Sequence, residues 1–232
     1  MNIIITGASS GIGYELVKLF SENEENKIIA ISRNSDKLKK LRSECTYSNV
    51  SILPIDISNE DQIKNEFLKT LDQLKNVDIL INNAGAIVNK AFHQLQKSDW
   101  EKVYQTNVFA PFMLIQQAIP FMGLIRKSHI VNISSMGGVQ GSLKFAGLSA
   151  YSSSKAALVC LTECLAEELK GTNIAINCLA LGAVQTEMLE AAFPGYKAPL
   201  SPKQMAVYIK DFALSGHNYF NGKILPVSTS NP

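Results

Sequence analysis

Short runs rich in β-branched residues alternate along this chain with segments long enough for an α-helix, and that alternation limits the fold more than any other feature. Residues 3–5, 27–32, 50–55, 77–81, 129–133, 173–179 and 224–227 are the predicted strands. Between the first two, Ile12, Leu16, Leu19 and Phe20 recur at helical spacing. Ser58 with Asp61 three residues on predicts a helix start with a capping box, and Ser201 before Pro202 predicts another. Strand, helix, strand repeated in one direction calls for right-handed crossovers, which lay helices on both faces of a parallel sheet. The expected class is therefore α/β, a doubly wound parallel sheet, in one domain over residues 1–232.

Composition narrows the setting. At 46% hydrophobic and 18% charged, the 232 residues suit a globular core, and no apolar run approaches the roughly 18 residues of a membrane span. Met1-Asn2 leads straight into Ile3 without an export signal, so the expectation is a cytoplasmic protein that does not engage a membrane. The net charge of +2 is scattered, which leaves no broad footprint for nucleic acid. Cys45, Cys160, Cys164 and Cys178 lack metal-ligand spacing, and His93, His129 and His217 stand apart, so no metal site is expected. Buried free thiols are the expectation for the cysteines.

The first predicted strand runs into TGASSGIG, residues 6–13. There Gly7 suits a tight turn, Gly11 a close backbone approach to a pyrophosphate, and Gly13 close packing of the helix whose N-terminus faces the anion. The second strand ends at Ser32-Arg33, where an acidic residue would accept from the ribose hydroxyls of NAD(H). A guanidinium instead matches a 2′-phosphate, so NADP(H) rather than NAD(H) is the expected cofactor.

Further along stand NNAG at residues 82–85, Asn107, a NISS run ending at Ser135, and YSSSK from Tyr151 to Lys155. In this order the motifs, from Met1 to about Thr186, resemble the short-chain dehydrogenase/reductase family. The resemblance implies a Rossmann-like three-layer fold with seven strands in the order 3-2-1-4-5-6-7. It also implies hydride transfer between a nicotinamide cofactor and a small carbonyl or alcohol substrate. Tyr151 resembles the family's acid/base, Ser135 rather than Ser134 its carbonyl-polarising hydroxyl, Lys155 its cation, and Asn107 the organiser of a water-linked proton route. The implied cofactor contacts are Gly7, Ser9, Ser10, Gly11, Ile12 and Gly13; Ser32, Arg33 and Asn34; Asp56 and Ile57; Asn83, Ala84 and Gly85; Tyr151 and Lys155; and Gly182, Val184 and Thr186. The resemblance further implies a homodimer or homotetramer, to which the apolar helices near Ser98 and Tyr151 would contribute.

Elementary chemistry supports the same pair. A free phenol titrates at about 10 and is a poor base at neutral pH. Tyr151 and Lys155 are one helical turn apart and share a face. A cation about 4 Å away, at an effective dielectric near 20, contributes on the order of 4 kcal/mol, enough to lower a pKa by about 3 units before solvent screening. On this reading the three serines between them need no role. The competing class is a dinucleotide-binding sensor without turnover; the complete Ser, Tyr, Lys and Asn set favours the enzyme.

Three departures from the family pattern carry expectations of their own. Leu181-Gly182 replaces the usual Pro-Gly, which leaves that turn less preorganised. The chain closes on NGKILPVSTSNP without the family's Asp-Gly-Gly. Residues 136–150 and 187–200 are predicted loops, and the second is short, so an open substrate site is expected. Within the implied carbonyl reductase or alcohol dehydrogenase class, a 3-oxoacyl thioester reductase is one subtype, for which Arg126-Lys127 would meet an acidic carrier protein; plain solvation of the two charges is the alternative.

Overall fold

The computed structural model describes residues 1–229, so Ser230, Asn231 and Pro232, the end of the C-terminal stretch singled out above, lie outside the described residues. The chain runs β1 (Asn2–Thr6), α1 (Gly11–Ser21), β2 (Lys27–Ile31), α2 (Ser35–Ser43), β3 (Val50–Leu53), α3 (Glu60–Gln62), α4 (Leu68–Leu74) and β4 (Ile79–Asn82). It continues with α5 (Lys97–Tyr104), α6 (Ala110–Ala118), β5 (Ser128–Ser135), α7 (Ser149–Glu168), β6 (Ile174–Leu181), α8 (Glu187–Ala192), α9 (Pro202–Ser215) and β7 (Ile224–Val227). All seven strands pair in parallel in the order β3-β2-β1-β4-β5-β6-β7. The doubly wound sheet expected from the alternation is thus the fold.

Both sheet faces are covered, which explains why the central strands read as continuous apolar runs. On one face Leu16, Val17 and Phe20 of α1 pack with Leu38 and Leu41 of α2 and Met205, Ile209 and Phe212 of α9. On the other, Leu71 of α4, Leu114 and Ile115 of α6 and Ala166 of α7 cover Ile4, Leu80, Ile130 and Ile176. A buried polar ladder sets the register of α7 on the sheet. Asn82 Nδ2 donates to Asn132 Oδ1 at 2.8 Å, and Asn132 Nδ2 donates to Thr162 Oγ1 at 2.9 Å. Strand order reverses between β1 and β4, so the crevice at the carboxyl ends opens between the loops that follow them.

Several local expectations are corrected. Asn59, not Ser58, caps α3 by accepting from Gln62 N at 3.1 Å; Ser58 instead donates to Asp56 Oδ1 at 2.7 Å. Two helical rods contain π turns, Ile63–Phe67 and Gln105–Phe109, which no periodicity announced. The predicted loop 187–200 contains α8. Cys178 is buried, but Cys160 and Cys164 lie on the exposed face of α7, and Cys45 is half-buried. Ser201 behaves as expected, forming a capping box with Gln204.

His129, wholly buried in β5 near the amino end of the sheet, ties three elements together. Its Nδ1 lies 3.0 Å from Ala213 O and its Nε2 is 3.0 Å from Asn177 Nδ2. The neutral ring satisfies both, donating from Nδ1 and accepting at Nε2. Burial, aided by His217 and Lys127, pulls its pKa down to about 4. Between that value and the ordinary one near 6.5, the unfolded chain holds a proton that the folded chain lacks, so acid favours unfolding by up to about 3 kcal/mol. Urea titrations should show stability falling as pH drops through this window, with most of the slope lost in His129→Gln. An equal slope in both proteins contradicts the assignment.

Candidate functional site

The glycine loop is held by contacts that leave no room for side chains. Gly7 has φ 69°, and a Cβ there would lie 2.8 Å from Ala84 Cα. A Cβ on Gly13 would run into the carbonyl oxygen of Gly7 and stand 2.6 Å from Asn83 Nδ2. Thr6, which the sequence did not single out, joins β1 to the β4 loop: its Oγ1 accepts from the backbone N–H of Asn83 and Ala84, both at 3.0 Å. Asn83 Nδ2 returns a bond to Thr6 O at 2.9 Å. Ile12 anchors the helix start in the core. Ser10 is the N-cap residue of α1 without a side-chain cap bond.

On the adenosine side, Ser32 Oγ donates to Ser9 Oγ at 2.8 Å and links the end of β2 to the glycine loop. Arg33 is free to reorient, its side chain 76% exposed and its Nη1 3.8 Å from Asp56 Oδ2. Asn34 caps α2 by accepting from Lys37 N at 2.9 Å. Ile57 is buried beside Asp56.

The catalytic candidates converge beyond the carboxyl ends of β4 and β5. Asn107 sits in the π turn Gln105–Phe109 and is fully buried. Its Oδ1 accepts from Ala86 N at 2.7 Å, and its Nδ2 donates to Ala86 O and Ser154 Oγ, both at 2.9 Å. The side chain is therefore spent on positioning, joining the β4 loop to α7. Ser154 in turn donates to Tyr151 O at 2.6 Å, so one of the three serines given no role fixes the helix turn that carries both Tyr151 and Lys155. Its place next to Lys155, three residues after Tyr151, was the available signal.

Lys155 is buried, donating from Nζ to Ile133 O at 2.8 Å, and that Nζ lies 5.9 Å from the Tyr151 ring centroid. A Cβ on Gly85 would stand 3.5 Å from Asn107 Oδ1 and 3.6 Å from Lys155 Nζ, so the bare glycine keeps this corner accessible. Ser134 points away, its Oγ donating to Lys155 O at 2.9 Å. Ser135 is the serine that acts on the Tyr151 phenol, holding its pKa down, and its Oγ accepts from Gly137 N at 3.2 Å.

Electrostatics differ from the expectation that lysine depresses the tyrosine. Burial pushes the Tyr151 phenol above its ordinary value, opposed by Ser135. Burial also pulls Lys155 down to about 8. Each group is biased toward its neutral form because burial disfavours its charged form. At neutral pH this arrangement holds a protonated phenol beside an unusually acidic ammonium.

The β6 loop closes the other wall. Leu181 stays in register between Ser135 and Val227, and Gly182 N donates to Val227 O at 2.9 Å; a Cβ on Gly182 would meet Ser228 Oγ. The turn is thus fixed by sheet pairing without a proline. Val184 bridges to Leu200, and Thr186 caps α8 by accepting from Leu189 N at 3.2 Å. Two further contacts brace this wall. Asn89 Nδ2 donates to Ala192 O at 2.8 Å, and Phe145 and Phe193 meet edge to face with centroids 6.4 Å apart. Arg126 and Lys127 turn away from this crevice: Arg126 Nε is 3.4 Å from Asp78 Oδ1 before β4, and Lys127 donates to His217 O at 2.6 Å. Both therefore sit at the amino end of the sheet, away from the crevice.

Among the described residues, no helix is long and apolar enough to cross a membrane, and no three His, Cys, Asp or Glu side chains cluster to hold a metal. The short chain dehydrogenase pattern matches residues 1–197. The chain is 30% identical to the 3-oxoacyl-(acyl-carrier-protein) reductase FabG of Chlamydia muridarum (strain MoPn / Nigg) over 236 residues, 97% of this chain and 94% of that protein. The solved structure of 4-hydroxyisoleucine dehydrogenase complexed with NADH aligns with a TM-score of 0.85 at 28% identity, covering 98% of this chain and 96% of the other. ElxO with NADP bound aligns with a TM-score of 0.85 at 27% identity and the same 98% and 96% coverage. With one fold, one motif order and relatives matched almost end to end, this chain belongs to the short chain dehydrogenase family and is an oxidoreductase of that kind.

Proposed function

We propose that the protein reduces a carbonyl compound with NADPH, with Tyr151 delivering the proton. The observation that carries this reading is the meeting of Tyr151, Ser135 and buried Lys155 beside the side-chain-free corner at Gly85. The residues suit a dinucleotide: the cradle at Gly7 and Gly13 admits no Cβ, and the start of α1 supplies backbone donors for a pyrophosphate. When bound, NADPH supplies the hydride that forms the new C–H bond at the carbonyl carbon. Ser135 donates a hydrogen bond to the carbonyl oxygen. Tyr151 then gives its proton to that oxygen, completing the alcohol and leaving a phenolate. Lys155, acidic through burial, restores the phenol proton, while Asn107 and Ser154 hold the helix turn and the β4 loop in place. A raised phenol pKa suits this direction, because the donor stays protonated at neutral pH.

Arg33 underlies the choice of NADPH. Its exposed guanidinium, loosely paired to Asp56, is available to a 2′-phosphate. The test is NADPH and NADH oxidation with a panel of ketones and diketones, in wild type and Arg33→Ala. Turnover with a preference for NADPH that collapses in the variant is expected, by about tenfold or more. Tight cofactor binding without any turnover instead supports the sensor class. Assembly as a homodimer or homotetramer belongs to the same reading, with Phe109 and Phe112 exposed on the α5–α6 rod; light scattering during size exclusion checks it.

A further inference from the structure

Lys37, in the first turn of α2 and four residues beyond Arg33, has its ammonium 3.1 Å from Glu187 Oε2 and 3.5 Å from Oε1. Glu187 opens α8, so this ion pair joins the adenosine side of the groove to the wall that follows β6. Its neighbours fix where it crosses. Thr186 brings Cγ2 to 3.2 Å from the point where a Cβ on Gly11 would sit. Met188 brings Cε to 3.8 Å from the corresponding point on Gly85, the corner shared with Lys155. The start of α8 therefore lies over the groove between the glycine loop and the catalytic lysine, and Lys37 ties it to α2.

Two cations at the head of α2 thus face carboxylates from different elements: Arg33 faces Asp56, and Lys37 faces Glu187. Both pairs are exposed, and such solvated pairs hold their partners only weakly. A phosphate monoester offers nearly two negative charges and three acceptor oxygens, and it outcompetes a single exposed carboxylate for a cation within reach. We propose that Lys37 is a second cation for the 2′-phosphate of NADP(H), and that Glu187 competes with that phosphate, so the α8 tie tunes the choice between NADP(H) and NAD(H). This rests on the Arg33 reading above.

Dissociation constants for NADPH and NADH, measured by titration calorimetry, test it in wild type, Arg33→Ala, Lys37→Met, Glu187→Gln and the Lys37→Met/Glu187→Gln double variant. Glu187→Gln should tighten NADPH by about two- to fivefold. Lys37→Met should weaken NADPH by about tenfold. NADH should change by less than about twofold in both, which also shows that each variant is folded. In the Lys37→Met background the glutamine substitution should have no further effect. Equal shifts for the two cofactors, or a Glu187→Gln effect that survives loss of Lys37, overturn the proposal. If Arg33→Ala abolishes the preference for NADPH while neither Lys37→Met nor Glu187→Gln moves it, the cofactor reading stands and this inference alone falls. Equal wild-type affinity for both cofactors sinks both.

Discussion

Tyr151→Phe should lower ketone turnover by roughly 10²- to 10⁴-fold while leaving NADPH affinity within about twofold. The substitution removes one oxygen from a half-buried ring and keeps the packing of α7 intact. What disappears is the phenol oxygen to which the proposal assigns the proton, the only atom the proposed mechanism requires from this side chain. Initial rates of NADPH consumption and calorimetric binding measure the two quantities separately. A variant that turns over at the wild-type rate removes Tyr151 from the chemistry. A variant that loses affinity and rate together makes the ring a cofactor contact first and an acid second.

Lys155→Met carries the second large effect, and its two consequences have opposite signs. Turnover should fall by about 10²-fold or more, because the phenolate left after proton donation has lost its nearest source of a proton. Stability should rise near neutral pH. Burial holds the folded lysine at about 8 against an unfolded value near 10.5, so below pH 8 the charged form destabilises the fold by about 3 kcal/mol. Loss of the bond to Ile133 O returns about 1–3 kcal/mol of that, leaving a small net gain for methionine. The sign follows from linkage: between about pH 8 and pH 10.5 the unfolded chain binds the extra proton, so wild-type stability climbs with pH across this window. The methionine variant should lack that climb. Urea titrations of both proteins at several alkaline pH values check it, and parallel curves contradict the buried, depressed lysine. The wild-type reduction rate should also decline as pH rises through about 8, as the ammonium is lost.

The doubly wound parallel sheet was legible because a sheet buried on both faces writes itself as apolar runs separated by helix-length segments; its strand order came from the family resemblance and not from the pattern. The glycine cradle was legible for a similar reason: Gly7 and Gly13 occupy positions where any Cβ meets backbone or Asn83. What stayed hidden depends on contacts between residues far apart in sequence. Thr6 bonding Asn83 and Ala84, Asn107 bonding Ser154, and Lys37 pairing with Glu187 over 150 positions leave no periodic trace. The π turn at Asn107 is invisible for another reason, since one extra residue in a helix turn shifts the apolar stripe without breaking it. The expected lowering of the tyrosine pKa failed because helical spacing fixes which groups share a face but not how far burial offsets their attraction. With Nζ 5.9 Å from the ring centroid, burial rather than the cation sets the direction of the Tyr151 shift.

In the proposed reaction a hydride from the cofactor reaches the carbonyl carbon while Tyr151 protonates the oxygen. The most direct test is a single turnover with NADPH deuterated at the transferring ring position, a ketone substrate, and mass analysis of the product. One deuterium on the carbinol carbon of the alcohol, formed by wild type and not by Tyr151→Phe, is the predicted result. An alcohol without that deuterium, or labelled product formed as fast by Tyr151→Phe as by wild type, would contradict the account.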